Sequence, residues 1–141
     1  MIINIELIDD GILPKSYTDS SELDVFIRDI EFDDSKAFKR AKCYLGFKTS
    51  FNENFRGVLV PRSSLTKADW IMQNSPGTID ADYRGEWIMT LTSLGTAEFP
   101  YKVGDRVGQI YFEKKIYTHF RVVQDLDETE RGDNGFGSTG Q

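Results

Sequence analysis

The sequence predicts an all-β protein, a jelly-roll-like β-sandwich with one short helix and a flexible glycine-rich C-terminal arm. Three observations predict this fold: short segments alternate apolar and polar residues, turn signals separate them at fairly regular spacing, and aromatic residues make up 13% of the chain. Only residues 61–70 favour helix. The 141 residues are enough for one domain, which would bury about two thirds of its unfolded surface.

The alternating segments are each long enough for one short strand. We expect strands at 2–8, 23–27, 43–47, 58–60, 79–82, 87–92, 107–112 and 116–123. In PRSSLTKADW, Ser63 or Ser64 can cap a short helix that ends before Pro76. Residues 29–40 are charged, and their pattern leaves both a loop and a turn of helix open.

Charge and composition exclude several classes of protein. A net charge of −6 argues against a nucleic-acid-binding domain held by bulk electrostatics. Cys43 is the only cysteine, which excludes an intramolecular disulfide and a multi-thiolate metal site. No apolar run reaches the length of a membrane span. We therefore expect a cytoplasmic protein, in the host cytoplasm if the source is viral, with no membrane or nucleic-acid partner.

Residues 74–86, NSPGTIDADYRGE, combine chemistry and turn signals more densely than any other stretch. A purely structural hairpin needs the glycines but not the carboxylates of Asp80 and Asp82, the phenol of Tyr83 or a neighbouring arginine. The pattern therefore indicates an active-site hairpin, with an ordinary polar hairpin as the alternative. Asp80 and Tyr83 differ in strand parity, so the chain must bend if both are to face one ligand.

Polar groups suited to phosphate recur in three other segments. Arg62, Ser63 and Ser64 place a guanidinium and two hydroxyls at the start of the predicted helix. Gly104 to Gln109 opens a strand with a turn. The tail RGDNGFGSTGQ offers three kinds of group to a nucleotide. Arg131 supplies a guanidinium group for phosphate, Phe136 an aromatic ring for stacking, and Gly137, Ser138 and Thr139 a run of backbone amides and hydroxyls. The alternative for this tail is simple disorder.

Five segments, in this order, resemble the motifs of the trimeric dUTPases, a family with phage and bacterial members. They are SSELDV at 20–25, PRSSL at 61–65, GTIDADYRGE at 77–86, GDRVGQ at 104–109 and RGDNGFGSTG at 131–140. The third and fifth are the most specific. Glu22 and Asn134 stand where the family usually has glycine. The resemblance implies a β domain at 1–123 and, at 124–141, an acidic linker and an arm that closes over the active site.

The resemblance also implies a reaction, the hydrolysis of dUTP to dUMP and pyrophosphate, which limits uracil incorporation into DNA and supplies dUMP for dTMP synthesis. Asp80 is then the carboxylate that orients the attacking water, and Tyr83 packs under the deoxyribose. The base, the phosphate chain and the γ-phosphate would be held by three further groups of residues. These are Asn74 with Gly77 to Ile79 and Phe136 for uracil, Arg62, Ser63, Ser64 and Gln109 for the phosphate chain, and Arg131, Gly137, Ser138 and Thr139 for the γ-phosphate.

In this family the cofactor is Mg²⁺, which the three phosphates chelate, and the resemblance implies that Asp24 contacts this ion through water. Family members are homotrimers with their sites between subunits. Two alternatives remain open: a dUTP-sensing regulatory protein that binds a partner on the same scaffold, and a dCTP deaminase, for which Glu86 is the nearest candidate base.

Overall fold

The computed structural model describes residues 1–33 and 38–135, and nearly all the regular structure there is β. One 3-10 helix, Ser63–Lys67, interrupts the strands. The strands are β1 Asn4–Leu7, β2 Leu23–Phe26, β3 Asp29–Asp33, β4 Arg40–Tyr44, β5 Phe47–Ser50, β6 Phe55–Pro61, β7 Trp70–Met72, β8 Gly77–Ile79, β9 Ile88–Ser93 and β10 Arg106–Lys114.

The strands form two four-stranded sheets and one small sheet, and every pairing is antiparallel. One large sheet has the order β2-β10-β6-β8, the other β3-β4-β9-β7, and β1 pairs with β5. Many neighbours in these sheets are far apart in sequence. The result is a sandwich of the predicted all-β, jelly-roll-like class, and that prediction is confirmed.

The core lies between the two large sheets, where glycines on one sheet face large side chains of the other. A Cβ atom at Gly57 would lie 2.5 Å from the ring of Trp87, and one at Gly108 would lie 2.3 Å from the methyl group of Met89. Trp87 and Met89 are fully buried. The Trp87 ring N–H donates to the Thr49 hydroxyl at 3.0 Å, so the buried indole keeps a polar partner.

Replacing Gly57 by alanine should destabilise the protein by about 1–3 kcal/mol, because the added methyl would overlap a fully buried ring that has no room to move. Urea unfolding at fixed protein concentration measures the change. Gly95→Ala is the matched control, since no heavy atom lies within 4 Å of a Cβ there. Equal unfolding midpoints for the two variants would contradict this account of the sheet packing.

Two segments differ from their predicted form. The helix expected across 61–70 is only a 3-10 helix, and Trp70 already begins β7. The buried side of this segment consists of Leu65 and Trp70, too few apolar residues to hold a longer helix against the core. Within 29–40, where the pattern left loop and helix open, residues 29–33 form β3.

Residues 116–123 form no strand in the single chain, so the prediction of a strand there is wrong. β10 ends at Lys114, and the residues beyond it have no sheet partner in the described part of the chain. Apolar side chains there are very exposed: Ile116 by 88%, Phe120 by 95% and Val122 by 96%. The alternating pattern is that of a strand, but a strand forms only against a free sheet edge.

Among the described residues, no helix is long and apolar enough to cross a membrane.

Candidate active site

The hairpin at 74–86 bends sharply after its first strand. β8 ends at Ile79, and the Tyr83 amide donates to the Asp80 carbonyl at 3.1 Å, which closes a tight turn over residues 80–83. The strand predicted over 79–82 is therefore displaced toward the N-terminus, to Gly77–Ile79. This turn is the bend that Asp80 and Tyr83 need if they are to face one ligand.

Asp80 presents its carboxylate to solvent at this turn. Its side chain is 75% exposed, and Oδ1 lies 3.8 Å from the Lys115 ammonium. Both residues line a cleft of about 410 Å³ whose other walls include Arg56 and Glu113. An exposed carboxylate on a fixed turn at the edge of a cleft can accept a hydrogen bond from a water molecule without loss of a buried partner.

Tyr83 lies across the backbone of its own turn. Its hydroxyl donates to the Glu86 carbonyl at 3.2 Å, and a Cβ at Gly85 would lie 2.2 Å from the Tyr83 hydroxyl oxygen. Arg84 fixes the same turn, because its Nη1 donates to the carbonyls of Ala81 at 2.7 Å and Tyr83 at 3.0 Å. One face of the Tyr83 ring is thus held against the chain, and the side chain remains 42% exposed.

A second cluster forms where β2, β6 and β10 meet. The strand register places Gln109 opposite both Asp24 and Val60, so these three side chains share one face. Arg62 follows two residues after Val60. Asp24 is buried, with 6% of its surface exposed. Its carboxylate faces two guanidinium groups: Oδ1 lies 3.3 Å from Arg62 Nε, and Oδ2 lies 3.0 Å from Arg106 Nη1. The structure therefore brings together three of the predicted residues and adds Arg106 to them.

The predicted serines lie beside this cluster, at the start of the 3-10 helix. Ser63 and Ser64 are both exposed. With five residues, this helix is too short to sum the peptide dipoles on which the prediction of an anion site partly relied. What the segment offers to an anion is the Arg62 guanidinium and two solvent-facing hydroxyls.

The predicted base-recognition residues lie around β8. Asn74 is engaged on both sides of its amide: Oδ1 accepts from the Thr90 amide at 3.1 Å, and Nδ2 donates to the Ile88 carbonyl at 3.4 Å. Its side chain therefore braces the hairpin against β9. Gly77 and Ile79 belong to β8, which is an edge strand of its sheet, so one side of its backbone has no strand partner in the described residues.

In the predicted arm, Arg131 is exposed, and its Nε donates to the Asn134 carbonyl at 3.0 Å within a turn at the start of the glycine-rich run. The other four arm residues predicted to bind substrate, Phe136, Gly137, Ser138 and Thr139, lie outside the described residues. Their roles stay predictions.

The surroundings of Asp24 do not fit a metal ion held by the protein. Mg²⁺ requires oxygen ligands in near-octahedral geometry, whereas this carboxylate faces two cationic side chains. No group of three or more acidic, histidine or cysteine residues that could hold a metal occurs among the described residues. The predicted water-mediated contact of Asp24 with Mg²⁺ is therefore not favoured by this geometry.

Cys43 is buried, and burial raises the pKa of its thiol to about 12. A thiol with such a pKa is a poor nucleophile at neutral pH, so Cys43 belongs to the core and not to a reactive site.

The two halves of the candidate site lie at opposite ends of β6 within one chain. Gly57 pairs with Ile79 next to Asp80, whereas Pro61 precedes Arg62 at the other end. Six residue steps of about 3.3 Å separate the two ends of β6, Phe55–Pro61, by roughly 20 Å. Within one subunit, Asp80 and the Asp24–Arg62 cluster are therefore far apart along the sheet.

A family model decides to which family the chain belongs: the dUTPase model matches residues 13–140. The chain belongs to the dUTPase family. A deoxyuridine 5'-triphosphate nucleotidohydrolase of Ehrlichia canis (strain Jake) is 42% identical over 104 residues, 72% of this chain and 68% of that protein. One of Fusobacterium nucleatum subsp. nucleatum is 36% identical over 131 residues, 92% of this chain and 90% of that protein.

Solved structures of phage dUTPases share this fold. A variant of the Staphylococcus bacteriophage 80alpha dUTPase, with dUpNHpp, gives a TM-score of 0.78 at 17% identity over 99% of each chain. The dUTPase of phage phi11 of S. aureus, in which a structural Mg(II) ion is coordinated, gives 0.72 at 13% identity over 91% of this chain and 100% of that chain. The predicted family, fold and enzyme class are confirmed: the chain is a dUTPase-family hydrolase.

Sequence reasoning missed three charged residues around this dUTPase site. Arg106 lies within a recognised motif, but its pairing with Asp24 depends on the register of β2 and β10. Lys115 carries no local signal that would connect it to Asp80. Arg28 forms an ion pair with Glu86 across 58 residues of sequence, a distance over which one sequence gives no information on contacts.

Proposed function

We propose that this dUTPase hydrolyses dUTP to dUMP and pyrophosphate by in-line attack of a water molecule that Asp80 orients. The water oxygen forms a bond to the α-phosphorus, the bond to the α,β-bridging oxygen breaks, and pyrophosphate leaves while Asp80 accepts the proton. The exposed carboxylate at the tight turn, beside both Tyr83 and the free edge of β8, is the observation that carries this assignment. Positioned water and charge compensation supply most of what phosphoryl transfer needs from a protein.

The free edge of β8 is suited to the uracil base. The polar edge of uracil presents an N–H between two carbonyl groups, and an edge strand presents amide and carbonyl groups in alternation. We assign base recognition to the backbone of Gly77 to Ile79. Asn74 acts in this assignment by bracing the hairpin, because β9 already engages its side-chain amide.

The two arginines that face Asp24 are suited to the phosphate chain. A guanidinium group binds phosphate oxygens through charge-assisted hydrogen bonds, and Ser63, Ser64 and Gln109 add neutral donors beside them. Asp24 orients Arg62 and Arg106. We place Mg²⁺ with the triphosphate, whose own oxygens are hard ligands of the type this ion prefers.

A complete site requires more than one subunit. The α-phosphate attacked beside Asp80 and the phosphates held by Arg62 are adjacent groups of one molecule, whereas these residues lie roughly 20 Å apart within a chain. A second copy must therefore supply one of the two halves. A closed ring of three subunits with head-to-tail interfaces builds three equivalent sites in this way, as expected for the family.

The exposed segment that follows Lys114 fits the same assembly. Ile116, Phe120 and Val122, each 88–96% exposed, lie in one short segment, and grouped exposed apolar side chains mark an interaction surface. We propose that residues 116–123 lie on a neighbouring copy. The division into a β domain, 1–123, and a linker with an arm, 124–141, follows from this, and the arm brings Arg131 and residues 136–139 to the γ-phosphate and the base.

Tyr83→Ala should raise activity on UTP relative to dUTP, because the ring of Tyr83 occupies the space that a 2′-hydroxyl would need. One removed steric contact of this kind changes discrimination by roughly 10- to 200-fold. Steady-state kcat/KM values for both nucleotides give the ratio. Tyr83→Phe is the matched control, since it keeps the ring and loses only the hydroxyl. A ratio in Tyr83→Ala equal to that of the unaltered protein would remove Tyr83 from sugar recognition.

Pyrophosphate release from dUTP, measured with Mg²⁺ beside dCTP, dTTP and UTP, tests the proposed function. We expect turnover of dUTP alone, which would limit uracil incorporation into DNA and supply dUMP for dTMP synthesis. Ammonia release from dCTP would overturn the proposal in favour of a deaminase. The cytoplasmic location stays a prediction.

The structure weighs against the deaminase alternative. Both carboxylate oxygens of Glu86 are engaged, Oε1 by the Gly46 amide at 2.8 Å and by Arg28 at 3.1 Å, and Oε2 by Arg28 at 3.0 Å. These three hydrogen bonds use three of the roughly four lone-pair sites of the carboxylate, and the Glu86 side chain is only 15% exposed, so little of it is accessible to a water molecule that it would activate. The regulatory alternative stays a prediction; the 80alpha phage dUTPase, whose fold this chain shares, controls transfer of virulence genes.

A further inference from the structure

Arg28 and Glu86 form the most enclosed ion pair that contacts the catalytic hairpin in the described part of the chain. The pair is bidentate, with Arg28 Nε 3.1 Å from Oε1 and Nη2 3.0 Å from Oε2, and the two side chains are only 19% and 15% exposed. The Glu86 hydrogen bond raises the pKa of the Arg28 guanidinium, which stays charged. Bidentate pairs with restricted solvent access fix geometry far better than single exposed contacts do.

Three separate turns meet at this pair. Arg28 lies between β2 and β3, and its backbone amide donates to the Tyr44 carbonyl at 2.8 Å. Gly46, between β4 and β5, donates its amide to Glu86 at 2.8 Å and has a φ of 74°. That positive φ favours glycine, which directs the amide at the carboxylate. Glu86 is therefore held by groups that belong to the body of the sandwich and not to its own hairpin.

The pair connects directly to Tyr83. The carbonyl of Glu86 accepts the Tyr83 hydroxyl at 3.2 Å, and the ring lies so close to Gly85 that no side chain fits between them. Arg84 holds the turn carbonyls independently of Glu86. Loss of the ion pair would therefore leave the turn formed and would release the surface on which the Tyr83 ring rests.

We propose that Arg28 and Glu86 are positioning residues for Tyr83 and set how strictly this enzyme separates deoxyribonucleotides from ribonucleotides. The inference rests on the proposed function. Exclusion of one hydroxyl group depends on the position of the ring to within a fraction of an ångström, since a small displacement makes room for it. The pair supplies that constraint from outside the hairpin.

Glu86→Gln and Arg28→Met test this inference. Glu86→Gln keeps the shape of the side chain and an oxygen for the Gly46 amide but removes the negative charge. Arg28→Met removes the guanidinium group. We expect kcat/KM for UTP relative to dUTP to rise about tenfold or more in each, while kcat for dUTP falls by less. Because the two residues act as one unit, the double variant should change the ratio no more than the larger single change.

Lys42→Met is the matched control, since it breaks a neighbouring but exposed ion pair with Glu31 and should leave the ratio unaltered. Equilibrium binding of non-hydrolysable dUTP and UTP analogues gives the same ratio without turnover. Arg28→Lys, a milder change, should give an intermediate ratio and serves if the other variants do not fold.

Equal losses on dUTP and UTP, or an unchanged ratio in folded variants, would overturn the inference and leave the pair a purely structural contact. The proposed function fails differently. In that case the unaltered protein releases no pyrophosphate from dUTP, whatever the state of this ion pair.

Discussion

Asp80→Asn should lose most dUTP turnover while dUTP binding persists, because asparagine keeps the size and the turn geometry but cannot accept the proton of the attacking water. General-base assistance of this kind contributes roughly 10²- to 10⁴-fold in rate, and kcat should fall by an amount in that range. Single-turnover rates and titration with a non-hydrolysable analogue separate chemistry from binding. The Asp80 side chain is exposed and its pair with Lys115 is loose, so folding should be little affected.

Asp82→Asn is the control for this experiment. Asp82 is an exposed carboxylate in the same turn, two residues further on, and has no assigned role. It should retain the rate of the unaltered protein. If Asp80→Asn turned over at full rate, the carboxylate would have no part in the mechanism; if Asp82→Asn lost as much, the effect would belong to the charge of the turn and not to Asp80.

Mixing two inactive variants should restore activity, because in the proposed trimer each site combines Asp80 of one subunit with Arg62 of another. Asp80→Asn and Arg62→Gln homotrimers should each be nearly inactive. The two proteins are unfolded and refolded together in equal amounts. A site is then intact when its Asp80 comes from the Arg62→Gln variant and its Arg62 comes from the Asp80→Asn variant. Random assembly gives that combination with a probability of one half times one half, so about a quarter of the sites should recover.

A protein that carries both substitutions is the control for the mixing experiment. Combined with either single variant, it can supply no intact site, so activity should stay at background. Absence of recovery in the first mixture, with trimers verified by light scattering, would mean that one subunit holds the whole site and that the roughly 20 Å separation closes by a movement within the chain.

The sequence predicted the sandwich because its strands bury one face, and that alternation survives in the structure. β9 buries Met89, Leu91 and Ser93 and leaves Ile88, Thr90 and Thr92 half-exposed, as its pattern requires. The hairpin at 74–86 was recognised from composition alone. The strand predicted over 79–82 gives way to a turn at residues 80–83, because the hydrogen bond that the Tyr83 amide donates to the Asp80 carbonyl depends on backbone angles that polarity does not report.

Other features depend on contacts that one sequence does not encode visibly. The strand predicted at 116–123 has an alternating pattern, but no free sheet edge in the described part of the chain pairs with it. Asn74 is predicted to read the base, and the structure adds a role that the sequence does not show, since β9 supplies a donor and an acceptor to its side-chain amide. Asp24 interrupted an apolar run, and only the meeting of three strands shows that arginines face it.

The burial of Cys43 has a practical consequence for testing whether the arm closes over the site. The only thiol of the chain lies in the core and stays protonated at neutral pH, so alkylating dyes will not label the folded protein there. A single engineered cysteine, for example Asn134→Cys at the root of the glycine-rich arm, would then carry a fluorophore or spin label alone. Movement of the arm with each nucleotide could be followed spectroscopically on an otherwise unmodified background.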